Sequence, residues 1–154
     1  MVEVRPMLGS DHAAVMGLVA GLSDWFDADA RTRAIPLDLK YQRGIVAEKD
    51  GQVAGFVTLF VAEGRLNIGW LGVDKRNHRE GIGGRLLAAA ENVARELGLD
   101  EIATYTLGDG VDYPPYELTR AFYVKHGFKV YQRSQTDNPG CPEEIRISKK
   151  VILD

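Results

Sequence analysis

Apolar positions along this chain change period repeatedly, from alternation to a spacing of three and four and back again. Val2 and Val4 alternate with charged residues and predict a short strand stopped at Pro6. Ser10 is placed to cap a helix whose apolar face is Val15, Leu18, Val19 and Leu22. Residues 23–30 are acidic and irregular, and a second helix is expected over 36–43. Strands follow over 45–48 and 53–61, joined at Lys49-Asp50-Gly51, where Asp-Gly is a strong hairpin signal. Another strand covers 66–73. A helix over 81–97 carries the stripe Ile82, Leu86, Ala90, Val93 and Leu97, pairs Glu91 with Arg95 outside, and ends at Gly98. A strand over 102–107, a helix over 115–126 stopped by Gly127, and strands over 128–133 and 144–153 complete the order.

That order describes an α/β (α+β) chain with six to seven strands and about four helices. At 154 residues, 45% hydrophobic and 27% charged, the chain has the size and balance of a single globular domain spanning 1–154. The net charge of −3 comes with no basic run longer than two residues, which argues against general nucleic-acid binding. No apolar stretch approaches the length of a membrane span, and the first residues lack a signal peptide's apolar centre. One cysteine, Cys141, excludes an internal disulfide framework and suits a reducing cytoplasm. His12, His78 and His126 show no ligand spacing with one another or with Cys141, so no metal site is expected.

The stretch with the most chemistry is Trp70-Leu71-Gly72-Val73, then a polar turn, then Arg79-Glu80-Gly81-Ile82-Gly83-Gly84-Arg85. A strand there runs into a glycine-rich loop that opens a helix. The glycines permit a close backbone approach, and the helix start offers unpaired N–H groups and a positive dipole end. This is a cradle for an anion, a pyrophosphate in the first instance, although a turn with no ligand has the same composition. Neither common glycine motif fits. The chain has no Gly-Lys pair, and the third glycine of a dinucleotide fingerprint would fall at Leu86.

The segment His78-Arg79-Glu80-Gly81-Ile82-Gly83 behind Val73 resembles the Arg/Gln-x-x-Gly-x-Gly/Ala signature of the GNAT superfamily of acyl-CoA N-acyltransferases. A second resemblance lies some forty residues on, in Ala121-Phe122-Tyr123-Val124-Lys125-His126-Gly127-Phe128. Together they imply a mixed sheet that splays where the strand ending at Val73 leaves the strand over 102–107. They imply acetyl-CoA as co-substrate, its pantetheine arm pairing with the main chain of Leu71, Gly72 and Val73. The pyrophosphate would rest on the loop of His78, Arg79, Gly81, Ile82, Gly83, Gly84 and Arg85. His78 departs from the family's Arg or Gln, and the arginines could supply the missing charge.

By the same resemblance Tyr123 is the general acid that protonates the departing CoA thiolate. A phenol stays protonated at neutral pH and can serve a thiol whose pKa is about 8.5. Tyr116 stands where many members carry a pantetheine-binding asparagine. Asn67 stands where histone-modifying members carry a glutamate base; an amide orients a water but takes no proton, and Glu63 is a more distant candidate. Tyr113, beside Pro114 and Pro115, could wall the acyl pocket. Asp24 and Trp25, in an acidic and aromatic stretch on the acceptor side, would favour a cationic amine. The acceptor is a primary amine of unspecified class, and the enzyme a monomer or homodimer. Two other classes stay open: a non-catalytic acyl-CoA-binding sensor or subunit, and an α/β interaction domain with no cofactor.

Overall fold

A computed structural model describes residues 1–110, 112–139 and 141–153. Seven strands form one sheet in the order β1-β2-β3-β4-β5-β7-β6. The strands are β1 (Val2–Pro6), β2 (Arg43–Lys49), β3 (Gln52–Ala62), β4 (Arg65–Val73), β5 (Glu101–Leu107), β6 (Lys129–Gln135) and β7 (Glu143–Lys150). The helices are α1 (His12–Ala20), α2 (Ile35–Tyr41), α3 (Ile82–Glu96) and α4 (Pro114–Lys125). The β2–β3 hairpin turns at Asp50 and Gly51, both at positive φ as the Asp-Gly pair requires.

Each face of the sheet buries one apolar cluster. On one side Val15, Leu18 and Val19 of α1, Phe26, and Ile35 and Leu39 of α2 pack on Val46 and Phe56. On the other, Ile82, Leu86, Ala90 and Val93 of α3 and Tyr123 of α4 pack on Val57, Leu59, Leu66, Ile68 and Ile102. Alternation along each strand divides the residues between the two clusters.

Several expectations give way to local physics. Ser10 caps nothing; it lies in a 3₁₀ turn, Gly9–Asp11, and the Asp11 carboxylate accepts the Leu8 N–H at 2.7 Å. The acidic stretch turns helical sooner than expected, through a π-turn over Ala30–Ala34 that runs into α2. Ile35 N–H reaches the carbonyl of Ala30, and the next residue, Pro36, has no N–H to continue the regular ladder. Arg43 belongs to β2. Leu97 is 48% exposed because Gly98 ends α3 in a left-handed cap just beyond it, and Leu87 and Ala94 are buried instead. Glu91 pairs with Lys149 of β7 at 2.6 Å, and Arg95 bonds Asn92 and the Ile152 carbonyl. Residues 151–153 leave the sheet, Val151 N–H bonding the Asp100 carbonyl.

Candidate active site

The strand order places the site. β4 and β5 are the parallel pair, and they share only the rungs Leu66↔Ile102 and Asn67↔Ala103. Beyond them the strands separate. On its far edge β4 is irregular too, because Gly69 and Trp70 together oppose Thr58 of β3. The Thr58 hydroxyl accepts the Trp70 N–H at 2.9 Å and holds this bulge. Leu71, Gly72 and Val73 resume pairing with Val57, Phe56 and Gly55, so their other edge faces the split. Gly72 leaves room for Phe56, whose ring lies 2.8 Å from the place of a Cβ.

Tyr123 is reached from the same geometry. It is 5% exposed, and burial pushes its phenol well above the ordinary range, with the Thr104 hydroxyl as hydrogen-bond partner pulling the other way. Thr104 in turn donates to the Ile68 carbonyl at 3.1 Å, bridging β5 to β4 just past their last rung. The hydroxyls of Tyr123 and Thr104 therefore sit at the base of the split. The second motif has a structural reason as well. Gly127, at φ 92, follows the last turn of α4, and Phe128 N–H returns to the Tyr123 carbonyl at 3.0 Å. The Tyr123 and Phe128 rings meet at 5.0 Å, the apolar contact that accompanies such a cap. Tyr-x-x-x-Gly-Phe thus fixes a tyrosine by helix termination.

The glycine-rich loop divides its labour. Gly81, at φ 79, starts α3, and Arg79, at φ 67, shares the left-handed region. The first-turn N–H groups of Ile82, Gly83 and Gly84 have no intrahelical acceptors. Yet Gly83 and Gly84 face α4: a Cβ on Gly83 would lie 2.9 Å from the Phe122 ring, and one on Gly84 3.0 Å from the His126 ring. They are packing glycines. The loop's side chains turn elsewhere. His78 Nε2 lies 2.9 Å from the Val73 carbonyl oxygen, Arg85 donates to the Val2 carbonyl at 2.7 Å, and the Glu80 carboxylate is lowered by its bond from Lys49. Arg79 is exposed.

A strap closes the outer end of the split. Between α1 and α2 the chain crosses to the start of α4, where Trp25 Nε1 donates to the Pro115 carbonyl at 3.0 Å. The Tyr113 hydroxyl donates to the Asp24 carbonyl at 2.6 Å, and the Tyr116 hydroxyl to the Trp25 carbonyl. Burial pushes the Tyr116 phenol up to about 12. Trp25 also meets the His78 ring edge-on at 5.6 Å, so the strap touches both walls. Asn67 is engaged otherwise, its amide donating to the Ala62 and Arg65 carbonyls of the β3–β4 turn, and Glu63 is in that turn beside Arg65 and Arg146. Sequence reasoning missed Thr58, Thr104 and Thr106; the alternation Thr104-x-Thr106 on an otherwise apolar strand face is the signal that could have found the last two. Among the described residues no three His, Cys, Asp or Glu side chains gather as metal ligands.

Comparison with known proteins agrees with this geometry. The profile of the acetyltransferase (GNAT) domain matches residues 40–130, more than half of the chain. A mycothiol acetyltransferase of Clavibacter michiganensis is 37% identical over 65 residues, which are 42% of this chain and 21% of that protein, so the chain spans about a fifth of that relative's length. A protein from Desulfovibrio desulfuricans described as a GNAT-family acetyltransferase superposes with a TM-score of 0.83 at 22% identity, covering 99% of this chain and 100% of the other. The PaiA N-acetyltransferase of Thermoplasma acidophilum, in complex with coenzyme A, gives a TM-score of 0.73 at 18% identity over 97% of this chain and 99% of its own. At these identities the structural likeness is one of fold. With the profile match, the splayed β4–β5 pair and both motifs in place, the chain belongs to the GNAT acetyltransferase family.

Proposed function

We propose that residues 1–154 form a single cytoplasmic enzyme domain that transfers the acetyl group of acetyl-CoA to a primary amine by direct attack. The observation that carries the reading is the Tyr123 hydroxyl, tied through Thr104 to the base of the β4–β5 split. Acetyl-CoA suits the residues around it. The unpaired edge of β4 at Leu71–Val73 can take the amides of the pantetheine arm as a strand would. The first-turn N–H groups of α3 can take the pyrophosphate. The coenzyme A held by the Thermoplasma relative supports the same donor.

In the proposed step the neutral amine nitrogen attacks the thioester carbonyl carbon, and the C–S bond breaks as the new C–N bond is completed. The sulfur takes the phenolic proton of Tyr123, and the proton lost by the nitrogen returns to the phenolate through water, so no net charge is left on the protein. Burial favours the protonated phenol, which keeps the acid loaded at neutral pH. The amine arrives beneath the strap, where Asp24, Trp25 and Tyr113 form the acceptor side.

A thiol-release assay with acetyl-CoA across an amine panel tests the reading. Turnover that depends on one class of primary amine is the expected result. Tight acetyl-CoA binding with no turnover on any amine would make the chain an acyl-CoA sensor, and no binding would remove the cofactor altogether.

A further inference from the structure

Beyond the last rung of β5 with β4, one buried side-chain polar group of β5 has no partner among the described residues. Thr104 engages Tyr123 and the Ile68 carbonyl. The carbonyls of Leu107 and Gly108 are both taken by Arg120. Between them Thr106 is 6% exposed, and its hydroxyl finds no hydrogen-bond partner among the described residues. A hydroxyl buried without a partner costs free energy, so such groups are rare and call for an explanation. The other such buried atom among the described residues, Oε1 of Gln42, lies over Gly69 in the β4 bulge, 2.1 Å from the place a Cβ would take.

Position supplies the explanation for Thr106. Strand alternation puts it on the face of Thr104, the face that carries α4 and Tyr123. It stands two residues further along the open strand, about 7 Å from Thr104 toward the outer end of the split. If the sulfur of an acyl-CoA meets Tyr123, the first amide of its pantetheine arm, three bonds from that sulfur, comes level with Thr106. Resting on the functional reading above, we propose that Thr106 is a positioning residue whose hydroxyl bonds that amide and so sets how far the thioester travels toward Tyr123. A threonine hydroxyl both donates and accepts, so it can pair with either end of an amide.

Calorimetry with acetyl-CoA and with acetyl-pantetheine, which has the arm without the phosphates, tests the assignment. Thr106→Val keeps the shape and deletes the hydroxyl. It is expected to raise Kd about 5- to 20-fold for both ligands, the worth of one hydrogen bond. Thr106→Ser should restore affinity to within about threefold. The ligand-free Thr106→Val protein should melt no lower than wild type, since no internal bond is lost. Unchanged Kd for both ligands would overturn the proposal, and so would a lowered ligand-free Tm, which would reveal an internal partner. Failure of the wild-type protein to bind acetyl-CoA is a separate result that would overturn the functional reading itself.

Discussion

Gly83 separates two accounts of the glycine-rich loop, one in which it makes room for a ligand and one in which it makes room for a helix. In Gly83→Ala the new Cβ would lie 2.9 Å from Cε1 and Cζ of Phe122, closer than such a carbon ever rests. The ring has little freedom to give way, lying 4.7 Å from the His126 ring and 5.3 Å from that of Tyr123. Overpacking of this kind costs about 1–3 kcal/mol. Alanine's better helix propensity offsets about 0.5–1 kcal/mol of that. A net loss of roughly 0.5–2 kcal/mol in a chain of this size lowers Tm by roughly 1–8 °C. The backbone N–H groups stay in place, so acetyl-CoA affinity should change by less than about threefold. Calorimetry for Tm and titration for Kd measure both quantities on one sample. Adding Phe122→Leu should recover part of the lost Tm, because the two sites touch and couple. An unaltered Tm with affinity down more than tenfold would refute the packing account and return Gly83 to the ligand.

The strap and the amino-terminal ion pair yield further tests. Trp25→Phe deletes the bond to the Pro115 carbonyl; it should raise KM for the amine several-fold and speed amide exchange at residues 24–26, and unaltered exchange would show that the bond does not hold the loop. The Asp11 carboxyl is held down to about 2, chiefly by its hydrogen bond from Arg5 and further by the Leu8 N–H. A folded pKa below the unfolded one near 3.9 contributes stability that is complete above about pH 5 and is lost as pH falls toward 2. Asp11→Asn should therefore cost about 1–2 kcal/mol at pH 7 and progressively less at pH 4 and pH 3, as read from urea midpoints. A difference that does not vary with pH would refute the linkage.

Elements set by periodicity were legible in the sequence, and those set by exceptions to it were not. The apolar run of β3, the Asp-Gly turn and the glycine stops of α3 and α4 all declare themselves locally. The π-turn before Pro36 and the exposure of Leu97 depend on backbone ladders that an apolar pattern does not record. At the site the two motifs mark the start of α3 and the helix that carries Tyr123. The purpose of the loop glycines was not legible: only packing distances reveal that Gly83 and Gly84 face α4. Arg79 and Arg85 are the arginines expected to replace the charge His78 lacks, but a side chain as long as arginine's can choose a partner across the fold, and Arg85 donates to the Val2 carbonyl. Thr58 was invisible because threonine is an ordinary strand residue, and Thr104 and Thr106 left only the faint signal of their alternation on an apolar strand.

The central claim is that Tyr123 delivers a proton at the base of the β4–β5 split, and Tyr123→Phe tests it most directly. The variant keeps the ring against Phe128 and removes only the hydroxyl shared with Thr104. General acids contribute about 10²–10⁴-fold, and a CoA thiolate is a fair leaving group that water also protonates, so kcat should fall about 10²-fold. Acetyl-CoA Kd should change by less than about threefold. Because burial raises the phenol, the wild-type kcat should show no alkaline fall up to about pH 9.5. Retention of kcat in Tyr123→Phe would contradict the account, whether acetyl-CoA affinity falls with it or not.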